Sequence, residues 1–376
     1  MARYGVVVIG GNRTHQEGYS RAFASDPRCE VVAVADEPGL PEYREGLNRL
    51  LASELGVPYL TLDEALARDD VHIVSSCPDI ERRGRVNVKC AEAGKHLYLD
   101  KPLAGSVEDA VAITEAAEKA GVVTQMFTQV TTSWAQAAKR ALEDGRVGQL
   151  LGVHADMMMA KGRPGTIPPG TVRRESEKVD RYTFVEAKRE LFDMGVYPVA
   201  LVCWLSGQRV TSLYGVTGNY FFAEHARHNI EDFGSLVMTL DGGAAGSIVG
   251  TRFGWTSHPR MGLVRVALVG TEGYAVFSES EPHIEVYNDD PPFEMPVTHP
   301  FDPMAMWGST TRDTQPRPKA SWVTLSDNPQ SMDIKAFVDC LESGQRPQVT
   351  ARDAVHHIEV IMAGYRSAAR GEAVTL

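Results

Sequence analysis

The sequence predicts an α/β fold in two parts: an N-terminal parallel sheet wound with helices, then an α/β domain carrying a large, mostly antiparallel open sheet. Three observations predict it. Short apolar runs alternate with helix-length segments through residues 1–127. From about residue 150 strand-like pieces follow one another instead. Two helix-length segments, 331–343 and 351–369, close the chain. A length of 376 residues is enough for two cores. The domains are set at 1–127 and 128–376, with 331–376 as closing helices.

The first apolar run, residues 5–9, reads as a strand that leads into Gly10 and Gly11, with a helix over 18–25. A second strand over 30–35 ends at Asp36, and helices follow over 43–55 and 62–68. Strands over 71–75, 96–99 and 122–127 alternate with helices over 86–93 and 107–120. Gly94 and Gly121 close those helices as C-cap residues. Such alternation makes the strands parallel, with right-handed crossovers. In the second part, strands are expected over 213–216, 234–240, 244–249, 264–269 and 275–277, with one helix near 191–205. Asp241, Gly242 and Gly243 supply a turn between two of these strands. The segment 289–329, rich in Pro and polar residues, reads as a long loop.

The formal net charge of −11 repels phosphate backbones, which argues against nucleic acid as a general partner. Cys29, Cys77, Cys90, Cys203 and Cys340 form no CxxC pair, so neither a disulfide framework nor a structural zinc site is expected. No apolar run reaches the ~18 residues a membrane span needs. The N-terminal residues show no signal-peptide pattern. A cytoplasmic protein without a membrane partner is expected.

An acidic protein can still hold a dinucleotide. A strand, a glycine turn and a helix N-terminus set backbone amides in front of a pyrophosphate. The turn here reads Gly10-Gly11-Asn12-Arg13-Thr14-His15. A GxGxxG pattern would need glycine at 12 and 15. Asn12 tolerates positive φ and can keep the turn tight, whereas the bulkier His15 makes the helix start differently or sit further from the strand. Asp36 ends the second strand, where a carboxylate accepts hydrogen bonds from the adenosine ribose. Glu37 follows, and no basic residue lies beside it to hold a 2′-phosphate, so NAD is expected over NADP. The other reading of these residues is a strand-end Asp in an α/β domain for a different ligand.

Two longer stretches carry a resemblance. Ala91-Glu92-Ala93-Gly94-Lys95-His96-Leu97-Tyr98-Leu99-Asp100-Lys101-Pro102-Leu103-Ala104 resembles the AGKH…EKPLA segment of the glucose–fructose oxidoreductase and inositol dehydrogenase family, Gfo/Idh/MocA, with Asp100 in place of Glu. Asp193-Met194-Gly195-Val196-Tyr197 is similar to its DxGxH/Y segment, in the Tyr form. Glu231-Asp232-Phe233-Gly234, Gly270-Thr271-Glu272-Gly273 and the end of the chain from Asp353 resemble further parts, so the likeness spans nearly the whole sequence. The sequence departs from the family at Ala187-Lys188-Arg189-Glu190, where a glycine run is common. It departs again after Ser76-Cys77-Pro78-Asp79, where Glu81, Arg82 and Arg83 replace a frequent His.

The resemblance implies a Rossmann domain that binds NAD. It implies a hydride passed between the nicotinamide, lying between the domains, and a hydroxyl or keto carbon of a sugar, polyol or sugar derivative. Gly10, Gly11, Asn12, Arg13, Thr14, Asp36, Ser76, Cys77, Pro78, Asp100, Lys101 and Pro102 are the implied cofactor contacts. Lys101, Asp193 and Tyr197 are the implied catalytic and substrate-binding residues. A homodimer or homotetramer joined through the open sheet is expected. Two other functions stay open: an NAD-retaining, redox-neutral glycosidase acting by oxidation and elimination, and a non-catalytic sugar or nucleotide sensor.

The chemistry agrees. Lys101 follows the fourth strand, at the carboxyl edge where open parallel sheets bind ligands. An ammonium there can stabilise alkoxide character on a reacting oxygen. Asp193 and Tyr197, four apart, share a helix face, and Pro198 makes that helix kink or begin near Val196. The Tyr197 phenol can give or take the substrate proton, alone or with Lys101. Asp193 either binds a substrate hydroxyl, tunes Lys101 or caps a helix. Arg163, assigned to the substrate, stands with Arg173, Arg174 and Arg181 in a segment that either holds an anionic group or pairs with Glu175, Glu177 and Asp180. His225 and His228, near Glu224, Glu231 and Asp232, have metal-ligand spacing, but a polar pocket wall or plain surface is expected and no metal is assigned. Trp255, Trp307 and Trp322 suit a core or a sugar-stacking platform equally.

Overall fold

The computed structural model describes residues 4–162, 167–168, 170–184, 186–254, 262–278, 299–304, 306–311 and 328–376. In chain order it begins with β1 (Tyr4–Ile9), α1 (Gln16–Ser25), β2 (Cys29–Asp36), α2 (Glu42–Leu55), β3 (Tyr59–Thr61), α3 (Leu62–Leu66), β4 (Ile73–Ser76), α4 (Arg83–Glu92), β5 (His96–Leu99), α5 (Val107–Ala120) and β6 (Thr124–Met126). There follow α6 (Ser133–Glu143), β7 (Leu150–Met159), α7 (Glu190–Asp193), α8 (Val196–Ser206), β8 (Val210–Gly218), α9 (Ala223–Arg227), β9 (Phe233–Leu240), β10 (Ala245–Arg252), β11 (Gly262–Gly270) and β12 (Tyr274–Ser278). Last come α10 (Gly308–Thr311), α11 (Pro329–Ser343), α12 (Ala351–Arg370) and β13 (Val374–Thr375). The chain forms two compact units, Met1–Thr131 with Asn328–Ile358, and Thr132–Asp327 with Glu359–Leu376. The segment Asn328–Ile358, expected with the second domain, thus packs in the first unit.

In the first unit, six parallel strands run in the order β3-β2-β1-β4-β5-β6. Apolar residues fill them: Val6, Val7, Val8 and Ile9 are fully buried, as are Leu97, Tyr98 and Leu99. Helix crossovers cover both faces, which is why these strands read as continuous apolar runs rather than alternating ones. The strand order reverses at β1, between β2 and β4, and open sheets of this kind bind ligands at that point, beyond the carboxyl ends of the strands. Ser106 starts α5 by accepting the Asp109 N–H, and Gly121 ends it in the left-handed region. Helix α11 brings Asp333 into the sheet's core. Its carboxyl accepts from the Tyr98 hydroxyl at 2.9 Å and the Thr131 hydroxyl at 3.1 Å.

In the second unit, seven strands run in the order β12-β11-β7-β10-β9-β8-β13. The β7–β10 pair is parallel and the other pairs are antiparallel. Helix α8 packs on β7 and β10. Its residues from Val196 to Val202 are all buried, and each large aliphatic side chain so placed contributes roughly 1.5–3 kcal/mol. Along the sheet, Tyr214, Val237, Ser247, His154, Ala267 and Val276 share one register row. Tyr214, Val237 and Val276 in that row are exposed.

The helix expected near 191–205 is two helices, α7 and α8. The sequence reading places nothing at β3, α6 or α9, the first only three residues long. Most of 289–329, with Trp255 and Trp322, lies outside the described residues. Among the described residues no helix is long and apolar enough to cross a membrane.

Candidate active site

At the end of β1 the chain must turn sharply, and Gly10 allows it. Its φ is +90°, and a Cβ there would come 2.7 Å from the Cys77 carbonyl oxygen. The next positive φ belongs to Arg13, at 63°, and not to Asn12 as the sequence suggests. Asn12 is held by its backbone instead: its N–H donates to Leu47 O and its carbonyl accepts from Arg44 Nη1. Its side-chain amide is fully buried, and neither Nδ2 nor Oδ1 has a hydrogen-bond partner. Thr14 Oγ1 closes the turn by donating to Gly11 O at 2.6 Å. His15, the bulky exception to the glycine pattern, is the N-cap residue of α1, which starts at Gln16 rather than near residue 18.

Asp36, at the end of β2, is buried and saturated. Oδ1 accepts from Arg82 Nη1 at 2.6 Å and from the Glu37 N–H at 2.9 Å. Oδ2 accepts from Asn48 Nδ2 at 2.9 Å and Arg82 Nη2 at 3.4 Å. The expectation that no basic residue lies beside Asp36 and Glu37 is therefore corrected. The crossover into α4 delivers Arg82 to both, and Arg85 Nε reaches Glu37 Oε1 at 2.8 Å. Burial pushes the Glu37 carboxyl up, but the Arg85 and Arg82 guanidiniums outweigh it and hold the group below the usual carboxylate range.

Beyond β5, Asp100 is a second hub. Oδ1 lies 2.7 Å from His15 Nδ1 and accepts from the Tyr19 hydroxyl at 2.8 Å. Oδ2 accepts from Arg83 Nη2 at 2.6 Å and from the Cys77 thiol at 3.1 Å. Burial opposes the charge on Asp100, yet His15, Arg83 and Lys101 outweigh it and hold the carboxyl far below its usual range. Burial beside that carboxylate pushes the Cys77 thiol up to about 12. Arg83 also grips the backbone: Nε donates to Pro78 O at 3.1 Å, and Nη1 to Asp100 O at 3.0 Å and to Pro102 O. Lys101 sits inside this clasp, joined to Pro102 by a cis peptide bond and only 2% exposed. It is not a solvated surface lysine. Ser76, buried at the end of β4, donates to Asn87 Oδ1 at 2.5 Å.

In the second unit, Asp193 ends α7 and Tyr197 lies in the first turn of α8, where Pro198 needs no hydrogen-bond acceptor. Glycine at 195 is a packing requirement, because a Cβ there would collide with the Leu191 carbonyl oxygen, and the facing Gly250 is held to glycine by the Gly195 backbone, 2.6 Å from where its Cβ would stand. Both Asp193 and Tyr197 are buried. Asp193 is not the N-cap residue of α8, a position that Gly195 holds. Its Oδ2 pairs with Arg252 Nη2, while Arg252 Nε donates to Glu190 Oε2 at 2.7 Å. Lys188 Nζ lies 3.8 Å from the other Asp193 oxygen and 4.3 Å from the centre of the Trp307 ring.

Arg173 is committed to a buried pair with Glu175 rather than to a ligand or to the solvated surface. Arg163 lies outside the described residues. His225 and His228 go to different carboxylates, Glu190 at 3.4 Å and Glu186 at 2.5 Å. Among the described residues no group of three or more His, Cys, Asp or Glu is placed to hold a metal.

Residues 4–128 match the family model of an oxidoreductase family with an NAD-binding Rossmann fold, and residues 135–276 match the GFO/IDH/MocA C-terminal domain. The chain belongs to the Gfo/Idh/MocA family of oxidoreductases. It is 24% identical over 377 residues to scyllo-inositol 2-dehydrogenase (NAD(+)) of Bacillus subtilis, covering 98% of this chain and 95% of the relative. In fold it is similar to GenD2 from gentamicin A biosynthesis, solved in complex with NAD, with a TM-score of 0.72, 22% identity, and 100% of this chain and 97% of that one covered. It is also similar to scyllo-inositol dehydrogenase from Lactobacillus casei, solved with NAD(H) and scyllo-inositol, with a TM-score of 0.70, 14% identity and 99% of each chain covered.

NAD is the cofactor of this Gfo/Idh/MocA oxidoreductase, and its turn suits that ligand: the buried Asn12 amide has donor and acceptor atoms without a protein partner, beside the N-terminus of α1. His15, Tyr19, Arg82, Arg83 and Arg252 are the residues sequence reasoning missed. Arg82 and Arg83 were visible only as a departure from the family pattern, and nothing local marks Arg252, 59 residues from Asp193.

Proposed function

We propose that this protein is an NAD-dependent dehydrogenase or reductase acting on a hydroxyl or keto carbon of a sugar, polyol or sugar derivative. The observation that carries this reading is Lys101, a buried lysine whose backbone Arg83 holds on both sides, at the carboxyl edge of the NAD-binding sheet. NAD supplies the hydride acceptor. Lys101 donates a hydrogen bond to the reacting oxygen and stabilises its alkoxide character. The Tyr197 phenol moves the proton. Asp193, its carboxylate oriented by Arg252, accepts from a neighbouring substrate hydroxyl. Gly10, Gly11, Asn12, Arg13, Thr14, Asp36, Ser76, Cys77, Pro78, Asp100 and Pro102 serve the cofactor. The name of the Bacillus subtilis relative supports a ring alcohol as substrate.

The test is a screen of cyclic polyols, sugars and sugar acids with NAD, read as NADH absorbance. A substrate that yields NADH supports the reading. Glycosides cleaved without net NADH would overturn it in favour of a redox-neutral glycosidase, and silence towards every polyol and glycoside despite NAD binding would favour a sensor.

The exposed face of the seven-stranded sheet supports a homodimer or homotetramer. Val237 is 61% exposed and Tyr274 is 78% exposed, on a face that also carries Tyr214, Val216 and Val276. Exposed apolar side chains at both ends of such a face, with Ser247 and His154 between them, suit burial against a second copy. Light scattering should find no monomer at micromolar concentration. The free cysteines support a reducing compartment, the cytoplasm.

A further inference from the structure

An ionised carboxylate offers about four acceptor positions. On Asp36 all are taken: two by Arg82, one by the Glu37 N–H and one by Asn48. A ribose diol can reach this carboxylate only if Arg82 lets go. Arg82 has other partners within reach, Glu37 Oε2 at 3.1 Å and Asp79 Oδ2 at 3.7 Å. Buried polar atoms also wait there without partners: Arg82 Nε, Arg44 Nε and Asn48 Oδ1. The neighbourhood is not anionic. Asp36, Glu37 and Asp79 are matched by Arg44, Arg82 and Arg85.

We propose that Arg82 is a latch on Asp36 that the cofactor's ribose must displace, and that this latch sets the discrimination between NAD and its 2′-phosphorylated form. The inference rests on Asp36 being the ribose acceptor. NAD binding breaks the Asp36–Arg82 pair and gains the ribose bonds. A 2′-phosphate instead recruits the displaced guanidinium, whose fork matches phosphate oxygens. Carboxylates facing the phosphate alone would weaken NADP by more than about a hundredfold. With Arg82 present the gap closes, NAD remaining the tighter ligand.

The two cofactors therefore respond in opposite directions when Arg82 is removed. A residue that merely supported the fold would weaken both. Calorimetric titration of the full chain tests this. In the wild type, NADP binds within about thirtyfold of NAD. Arg82→Met tightens NAD, weakens NADP and widens their ratio by about tenfold or more, the loss of a charge-assisted bond on one side and of a competitor on the other. Arg82→Lys, which keeps the charge and loses the fork, falls between. A wild-type gap wider than that, or an Arg82→Met variant that weakens both cofactors alike or leaves the ratio unchanged, overturns the proposal. Should Arg82→Met fail to fold, the wild-type gap and the Arg82→Lys ratio decide. Asp36→Ala tests the underlying assignment separately: unchanged NAD affinity there removes Asp36 from the ribose, whatever Arg82 does.

Discussion

His15 Nδ1 lies 2.7 Å from Asp100 Oδ1. The residue that breaks the glycine pattern is thus tied to the residue that precedes the catalytic-motif lysine. Two departures from the family pattern, His for Gly and Asp for Glu, meet in one contact. The Asp100 carboxylate also balances Arg83, and neither partner has water to fall back on.

Asp100→Asn should therefore be costly. It strips the counter-charge from a fully buried guanidinium, a loss on the order of 3–5 kcal/mol, measurable by urea unfolding. The acid limb follows from the same carboxyl. Its folded-state value is depressed, so its stabilisation is present above the unfolded value of 3.8 and lost as pH falls through the lower folded value. The wild type should lose stability below about pH 4 more steeply than Asp100→Asn.

Arg83→Met should act on turnover through Lys101. Arg83 is a positioning residue that fixes the backbone on both sides of the lysine. Losing it should lower kcat by about a hundredfold, as misplacement of about 1 Å can. Arg83→Lys, unable to reach three carbonyls and a carboxylate at once, should not restore it. Steady-state kinetics with a measured NAD affinity separates this from a cofactor defect, which would appear in that affinity first.

Tyr197→Phe and Lys101→Met should each reduce turnover by about 10²–10⁴-fold while leaving NAD binding nearly intact. The double variant should fall well short of the product of the two, because groups serving one proton transfer act as a unit. Wild-type turnover in Tyr197→Phe, with chemistry rate-limiting, would return Tyr197 to a packing role.

Asp333 gives the opposite pH signature to Asp100. Burial pushes its carboxyl up to about 7, against hydrogen bonds from Gln125, Tyr98 and Thr131. The folded protein therefore holds a proton that the unfolded chain releases near 3.8. The contribution is full below that value and is lost as pH rises towards about 7. Asp333→Asn, which cannot ionise, should gain Tm relative to wild type at about pH 8 compared with about pH 5. Scanning calorimetry at the two values would show parallel behaviour if Asp333 were already charged in the fold.

The parallel sheet was legible because its strands are buried on both faces and end at glycines or at single acidic residues, as at Asp36 and Asp100. Lys101 was legible from its strand-end position beside Pro102. Their partners were not. Arg82 is 46 residues from Asp36, and adjacency in sequence says nothing about what a crossover returns to a strand end. Asn12 misled for a local reason: its short polar side chain permits positive φ, but Arg44 and Leu47 hold its backbone elsewhere, and Arg13 takes the strained position. The pairing of Arg173 with Glu175 shows the same limit, since a charge-rich stretch reads as surface until burial is known.

The return of α11 to the first sheet has a consequence for synthesis. Tyr98 and Asp333 are 235 residues apart, and Phe337 packs its ring 5.6 Å from that of Tyr98. A ribosome making about 5–20 residues per second leaves the first 131 residues waiting roughly 10–40 s for that helix. Through that interval the apolar surface around Phe23 and Tyr98 has no cover, and it becomes a place for chaperones or for a neighbouring nascent chain. A gene cut after residue 131 should yield insoluble protein, and one that joins 328–358 directly to the first segment by a flexible linker should restore a soluble, NAD-binding product.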